Sequence, residues 1–186
     1  IANFDAESFG VEFEALAKDA FSITYLDETG RYHNTALLLM ETVIAKRIWN
    51  LASASQELTD AEYQAIIQVA NELPYKLAER QLEAVELSVR SPFSCILGGA
   101  GTGKTTVLRA VARSYAQLGF NVKAIALSGR AAQRLGESLG METSTIAKFL
   151  YDELDDHKKP GRSVIIIDEA SMVDVTYLYR IVQKTD

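Results

Sequence analysis

An α/β fold built on a parallel sheet, preceded by a small helical module with a β-hairpin, is predicted by three observations. Short apolar runs at Phe93–Leu97, Val122–Leu127 and Ser163–Ile167 alternate with segments of helical periodicity. A glycine-rich turn, Gly98–Gly103, joins the first of these runs to the first such helix. The stretch before Pro74 shows helices interrupted by one turn-centred pair of short strands. Strands alternating with helices imply parallel pairing through right-handed crossovers.

Taken in order, Phe9, Phe13 and Leu16 recur at helical spacing. Ser22–Leu26 reads as a strand, Asp27-Glu28-Thr29-Gly30 as a turn, and Arg31–Thr35 as a returning strand. Leu37, Met40, Ile44, Ile48 and Leu51 form the stripe of an amphipathic helix, and Ser53–Ser55 breaks it. Thr59-Asp60-Ala61-Glu62 carries the signature of a capping box ahead of Tyr63, Ile66, Ile67 and Ala70, and Pro74 marks the domain boundary. Leu77–Val89 is helical and stops before Ser91-Pro92. Beyond the glycine-rich turn come a helix over Val107–Leu118 with Gly119 as its C-cap, a strand over Val122–Leu127 and a helix over Arg130–Leu139. A polar loop, Asp155–Arg162, then leads to the strand Ser163–Ile167 and a last helix over Val173–Val182.

The 186 residues, 48% hydrophobic and 24% charged, have the profile of a soluble globular chain, and no internal repeat is visible. The formal net charge of -6 removes any global basic field, so contact with nucleic acid must come from a local patch or from backbone groups. Cys95 is the single cysteine, which excludes disulfide frameworks and cysteine metal sites and fits a reducing, cytoplasmic compartment. Its place in an apolar run predicts a buried strand residue. Ala36–Leu51 is interrupted by Glu41, Lys46 and Arg47 and is too short to span a bilayer, and no signal peptide is visible. The start at Ile1, without methionine, reads as part of something longer.

Gly98, Gly103, Lys104 and Thr105 satisfy the G-x-x-x-x-G-K-[ST] spacing of a phosphate-binding loop. Successive backbone N–H groups through Gly98, Gly99, Ala100, Gly101, Thr102, Gly103, Lys104, Thr105 and Thr106 can face phosphate oxygens at a helix start. Glycines permit the positive φ angles that such a wrap requires. Lys104 is placed to reach the β- and γ-phosphates of a nucleoside triphosphate as a point charge, and the Thr105 hydroxyl is the expected Mg²⁺ ligand.

The run V-I-I-I-D-E-A-S puts Asp168 and Glu169 where a buried strand ends, the edge at which open α/β sheets bind ligands. A hard cation between phosphates suits Asp168, and a water that must be positioned and deprotonated suits Glu169. An acid-capped helix start is the plainer alternative for the same pair.

G-G-A-G-T-G-K-T-T, then A-L-S-G-R-A-A-Q-R-L-G-E-S-L-G followed by S-T-I, then I-I-I-D-E-A-S-M-V-D, together resemble motifs I, Ia and II of the RecD-like helicases of superfamily 1B, with conjugative relaxase-helicases as close cousins. The extended middle motif separates this group from other phosphate-loop ATPases. The resemblance implies a RecA-like P-loop NTPase sheet, incomplete in this chain: residues 75–186 would be the first part of motor domain 1A with motifs Q, I, Ia and II, and residues 1–74 an amino-terminal helical module with a hairpin. It implies ATP-driven 5′ to 3′ translocation on single-stranded DNA with strand separation, in DNA repair, recombination or DNA transfer.

By the same resemblance Gln81 contacts adenine, and Ser128, Gly129, Arg130 and Thr145 contact the DNA backbone. Taken without the family, Gln81 is a surface glutamine and Arg130 a solvated helix residue. Relatives often carry threonine and histidine where this chain has Ser128 and Ala147, and alanine cannot replace an imidazole contact. Motif III, the arginine that stabilises transition-state charge and the second motor domain are expected beyond Asp186, so the isolated chain is expected to bind nucleotide weakly and to unwind nothing. Partners implied are single-stranded DNA and a helicase-nuclease complex of exodeoxyribonuclease V type, or a fused relaxase. A small-molecule phosphotransferase and a nucleotide-gated scaffold remain open as rival functions. His33 and Trp49 are read as structural, and His157 as part of a solvated loop.

Overall fold

The computed structural model describes residues 24–30, 32–54, 56–99, 101–152 and 162–184. The expected helix around Phe9–Leu16, the loop carrying His157, and Ala100 lie outside the described residues.

The hairpin forms as expected, with β1 (Thr24–Leu26) antiparallel to β2 (Tyr32–Asn34) and Thr24 opposite Asn34. Asp27 organises the turn: its Oδ1 accepts from Thr29 N and Oγ1, and its Oδ2 pairs with His33 Nε2 at 2.8 Å, which gives His33 its structural place. Helix α1 (Thr35–Ser53) follows directly, capped by Asn34 Oδ1, and buries Ile44. Helix α2 (Asp60–Glu72) starts on the anticipated capping box between Thr59 and Glu62. Helix α3 (Glu79–Arg90), helix α4 (Lys104–Gln117), strand β3 (Asn121–Ala126) and helix α5 (Gly129–Leu139) come next. Strand β4 (Thr143–Thr145), helix α6 (Ile146–Asp152), strand β5 (Ser163–Ile167) and helix α7 (Val175–Gln183) complete the order.

The sheet is parallel, in the order β4-β3-β5. Alternation along β3 sends Ala124 and Ala126 into one layer with Ala112 of α4 and Ala132, Leu135 and Leu139 of α5. Ile125 points the other way, into Ile146, Phe149 and Leu150 of α6 and Ile181 of α7. This is a parallel sheet covered on both faces, the incomplete P-loop NTPase architecture. A further core joins Ile66 and Val69 of α2, Val85 and Val89 of α3 and Val107, Val111 and Tyr115 of α4, so side chains on both sides of Pro74 pack together.

Two expectations fail, the strand over Phe93–Leu97 and the burial of Cys95. Phe93–Leu97 forms no strand: 94–99 has no regular structure, Leu97 is 88% exposed, and Cys95 is exposed rather than buried. An extended run becomes a strand only by pairing, and among the described residues β3 already has both neighbours while nothing pairs along the outer side of β5. Ile96 still packs on the helical core. Trp49 is 74% exposed among the described residues, because it lies on the opposite side of α1 from Ile44. Finally, β4 and α6 occupy a stretch whose sequence pattern predicts no element.

Candidate functional site

The phosphate loop is shaped by its own side chains. Gly103 has φ +81° and caps α4, a left-handed conformation that L-residues adopt only with strain. Gly101, at φ +74°, makes the other such turn. Lys104 Nζ folds over the loop and donates to the carbonyls of Gly98 at 2.6 Å and Gly99 at 2.7 Å. Thr102 Oγ1 donates to Gly99 O at 2.9 Å. Thr105 is exposed and Thr106 half-buried on the first turn of α4.

Gln81 belongs to this assembly. Its Oε1 accepts from Ala78 N at 3.0 Å, capping α3, and its Nε2 donates to Thr102 O at 3.2 Å across 21 residues of sequence. A Cβ on Gly103 would collide with that same Nε2. Gln81 therefore braces the loop, a role distinct from either reading of the sequence.

Asp168 emerges from β5 with its N–H bonded to Ile125 O at 3.2 Å, and its Oδ1 accepts from Glu169 N at 3.0 Å. Glu169 stands at φ 52° and ψ 42°, the one non-glycine residue with positive φ among the described residues. Strain of this kind at the end of a sheet strand holds a side chain where extended backbone would not put it.

Thr145 ends β4, and Ser128 follows the end of β3 by two residues. Ala126 is in register with Thr145, and Ile125 with Ile167, so all three strand ends lie along one carboxyl edge. Ser128 Oγ accepts from Ala131 N and caps α5, and Thr145 Oγ1 accepts from Lys148 N and opens α6. Both hydroxyls keep a proton to donate. Gly129 and Arg130 are exposed in the first turn of α5. The structure thus brings Gln81, Thr102, Gly103 and Lys104 into contact, and aligns Ser128, Thr145 and Asp168 along one edge. Thr105 and Asp168 share no hydrogen bond among the described residues.

A profile of the AAA domain family matches residues 76–186, the whole stretch from the start of the Gln81 brace to the last helix. The chain belongs to the AAA domain family. Relatives of this AAA domain include the conjugal transfer protein TraA of Agrobacterium fabrum, 28% identical over 77% of the chain and 13% of the relative. The ATP-dependent RecD2 DNA helicase of Deinococcus radiodurans is 34% identical over 52% of the chain and 14% of the relative. The RecBCD enzyme subunit RecD of Haemophilus influenzae is 29% identical over 55% of the chain and 21% of the relative. This AAA domain is thus similar to the RecBCD subunit RecD, to a RecD2 DNA helicase and to a conjugal transfer protein. It spans between about an eighth and a fifth of the length of these relatives.

Sequence reasoning passed over Arg109. From the middle of α4 its Nε donates to Ser138 O at the end of α5, at 2.5 Å, and its Nη1 reaches Tyr75 Oη at 3.4 Å. Arg109 stands one turn before Arg113 on the side of α4 away from Val107 and Val111, so the helical pattern does not single it out. Among the described residues no helix is long and apolar enough to cross a membrane, and no three His, Cys, Asp or Glu side chains gather as a metal cluster.

Proposed function

We propose that this AAA domain is the nucleotide-binding part of an ATP-driven motor that moves 5′ to 3′ along single-stranded DNA in the cytoplasm, serving DNA repair, recombination or transfer. One observation carries the reading: the phosphate loop's helix, the Asp168-Glu169 pair and the Ser128–Arg130 and Thr145 positions belong to a single parallel sheet and its flanking helices, with the last two groups at the strands' carboxyl edge. Nucleotide chemistry and a sequence-neutral grip on phosphates are then built on one rigid body.

The residues fit ATP and Mg²⁺. Gly101 and Gly103 hold the positive φ angles that let the loop wrap an anion, and Lys104 already directs its ammonium across the loop. Lys104 and the loop N–H groups bind phosphate oxygens, and Gln81 keeps the loop in shape. Thr105 and Asp168 would hold Mg²⁺, which would supply charge neutralisation at the phosphates. Glu169 orients the attacking water and accepts its proton. Residues 75–186 form the first part of motor domain 1A in this reading, and a helicase-nuclease complex or a fused relaxase is the setting of the whole protein.

The test is DNA-stimulated Mg-ATP hydrolysis by the full-length protein. Single-stranded DNA should raise turnover, and Lys104→Ala should abolish it; near-normal turnover by the variant sinks the assignment.

A further inference from the structure

We infer that Gln81 serves the phosphate end of the nucleotide rather than its base, and that this domain accepts guanosine as well as adenosine triphosphate with little selection between them. The inference rests on the nucleotide-binding reading above and names the substrate class of that same site. It departs from what the resemblance implies, because Gln81 is the one residue of this chain to which the resemblance gives a contact with adenine.

The amide of Gln81 already has two partners, and both are backbone. Its Oε1 accepts from Ala78 N at 3.0 Å, and its Nε2 donates to Thr102 O at 3.2 Å. Ala78 offers no side-chain acceptor to the first turn of α3, and Gln81 supplies that helix start with its side-chain bond. A glutamine reads adenine by presenting oxygen and amino group together to the base edge, one accepting and the other donating. Here those two atoms are divided between the start of one helix and the loop before the next.

Packing fixes the amide in that position. A Cβ on Gly103 would stand 2.4 Å from Nε2, so the amide lies directly against the backbone where α4 begins. From there the bonds run into the phosphate cradle: Thr102, held by Gln81, donates its Oγ1 to Gly99 O, the carbonyl that Lys104 Nζ also holds.

The consequence for the base follows from how hydrogen bonds discriminate. A site rejects the wrong base strongly when that base leaves one of the site's polar groups unpaired. The amide of Gln81 stays paired with backbone whichever base is bound, so no such penalty arises from it. Turning it outward to adenine would exchange two bonds for two others, which gives adenine little advantage over guanine.

Steady-state hydrolysis of Mg-ATP and Mg-GTP by the full-length protein tests the inference. The two values of kcat/KM should agree to within about tenfold. Gln81→Ala should lower both by the same factor, about three- to tenfold, and leave their ratio unchanged. A preference of the parent for ATP beyond that range overturns the inference without recourse to any variant, and so does a ratio that moves toward GTP in Gln81→Ala. Either result leaves the motor reading standing. Near-normal turnover of both nucleotides by Lys104→Ala overturns that reading and the inference with it.

Discussion

Replacing Gly103 by alanine tests whether Gln81 braces the phosphate loop, because two separable costs meet at that position. The first is backbone strain: alanine at φ +81° costs about 1–2 kcal/mol. The second is steric, since the new Cβ would displace Gln81 Nε2 and break its bond to Thr102 O, about 0.5–1.5 kcal/mol more. Gly101 supplies the control, with φ +74° but no atom within 4 Å of the place a Cβ would take, so Gly101→Ala carries the strain alone.

Gly103→Ala should then destabilise by about 2–3 kcal/mol, a fall of about 5–10 °C in Tm for a chain of this size. Gly101→Ala should cost about 1–2 kcal/mol. In a Gln81→Ala background the steric part vanishes, so the cycle between Gln81→Ala and Gly103→Ala should show a coupling of about 0.5–1.5 kcal/mol. Urea unfolding followed by far-UV circular dichroism measures all four proteins. Equal costs for the two glycines, with a cycle that adds to zero coupling, would refute the brace.

Two further outcomes follow from strain and burial. Glu169→Gly should relieve the left-handed backbone at φ 52° and, net of glycine's extra unfolded-state freedom, stabilise by up to about 1 kcal/mol, while ending ATP turnover in the full-length protein; thermal unfolding and a turnover assay on the same variant show whether strain and chemistry share that residue. Tyr115, whose hydroxyl donates to Ser88 O at 2.7 Å, has its pKa raised above the ordinary 10.0 by burial and then by the charge of Glu62. The folded chain therefore holds that proton more tightly than the unfolded one, and the stability it contributes is complete below pH 10.0 and lost as pH rises above it. Tyr115→Phe should cost about 1 kcal/mol at neutral pH and flatten the alkaline fall in the urea midpoint.

Much of this was legible because the signals were local. The Thr59–Glu62 capping box, the Asp27–Gly30 turn and the β-branched run of β5 each depend on neighbours within a few residues, and each stands where the sequence put it. Phe93–Leu97 shows the limit of that reasoning. Its composition is that of a strand, but a strand is a relation between segments, and no described strand pairs with this one. The exposure of Trp49 has a related cause, since hydrophobicity says that a side chain gains from burial and not that a partner exists. The β4 to α6 stretch was missed because strands of three residues and helices of seven are too short to display a period. At the site, spacing marked the loop, Asp168 and Glu169, but the contact of Gln81 with Thr102 closes over 21 residues and left no periodic trace.

That long-range contact explains how the loop keeps its shape although the segment before it is not held in the sheet. Helices α3 and α4 are fastened to each other at both ends. At the amino end Gln81 of α3 grips Thr102 beside the start of α4, and at the carboxyl end Tyr115 of α4 donates to Ser88 O of α3. Val85, Val89, Val107 and Val111 fill the space between them. Two such points require the helices to run in the same direction, so any sliding of one along the other breaks a hydrogen bond at each end at once. Arg109, midway along α4, adds a third tie, to the end of the helix that carries Ser128 and Arg130 at its start. The phosphate loop is therefore positioned from its helix side, and the element that holds it also bears on the helix proposed to touch DNA. The guanidinium of Arg109 is thus the contact through which the helix of the proposed nucleotide site touches the helix proposed to grip DNA, and Arg109→Ala is the substitution that would separate them.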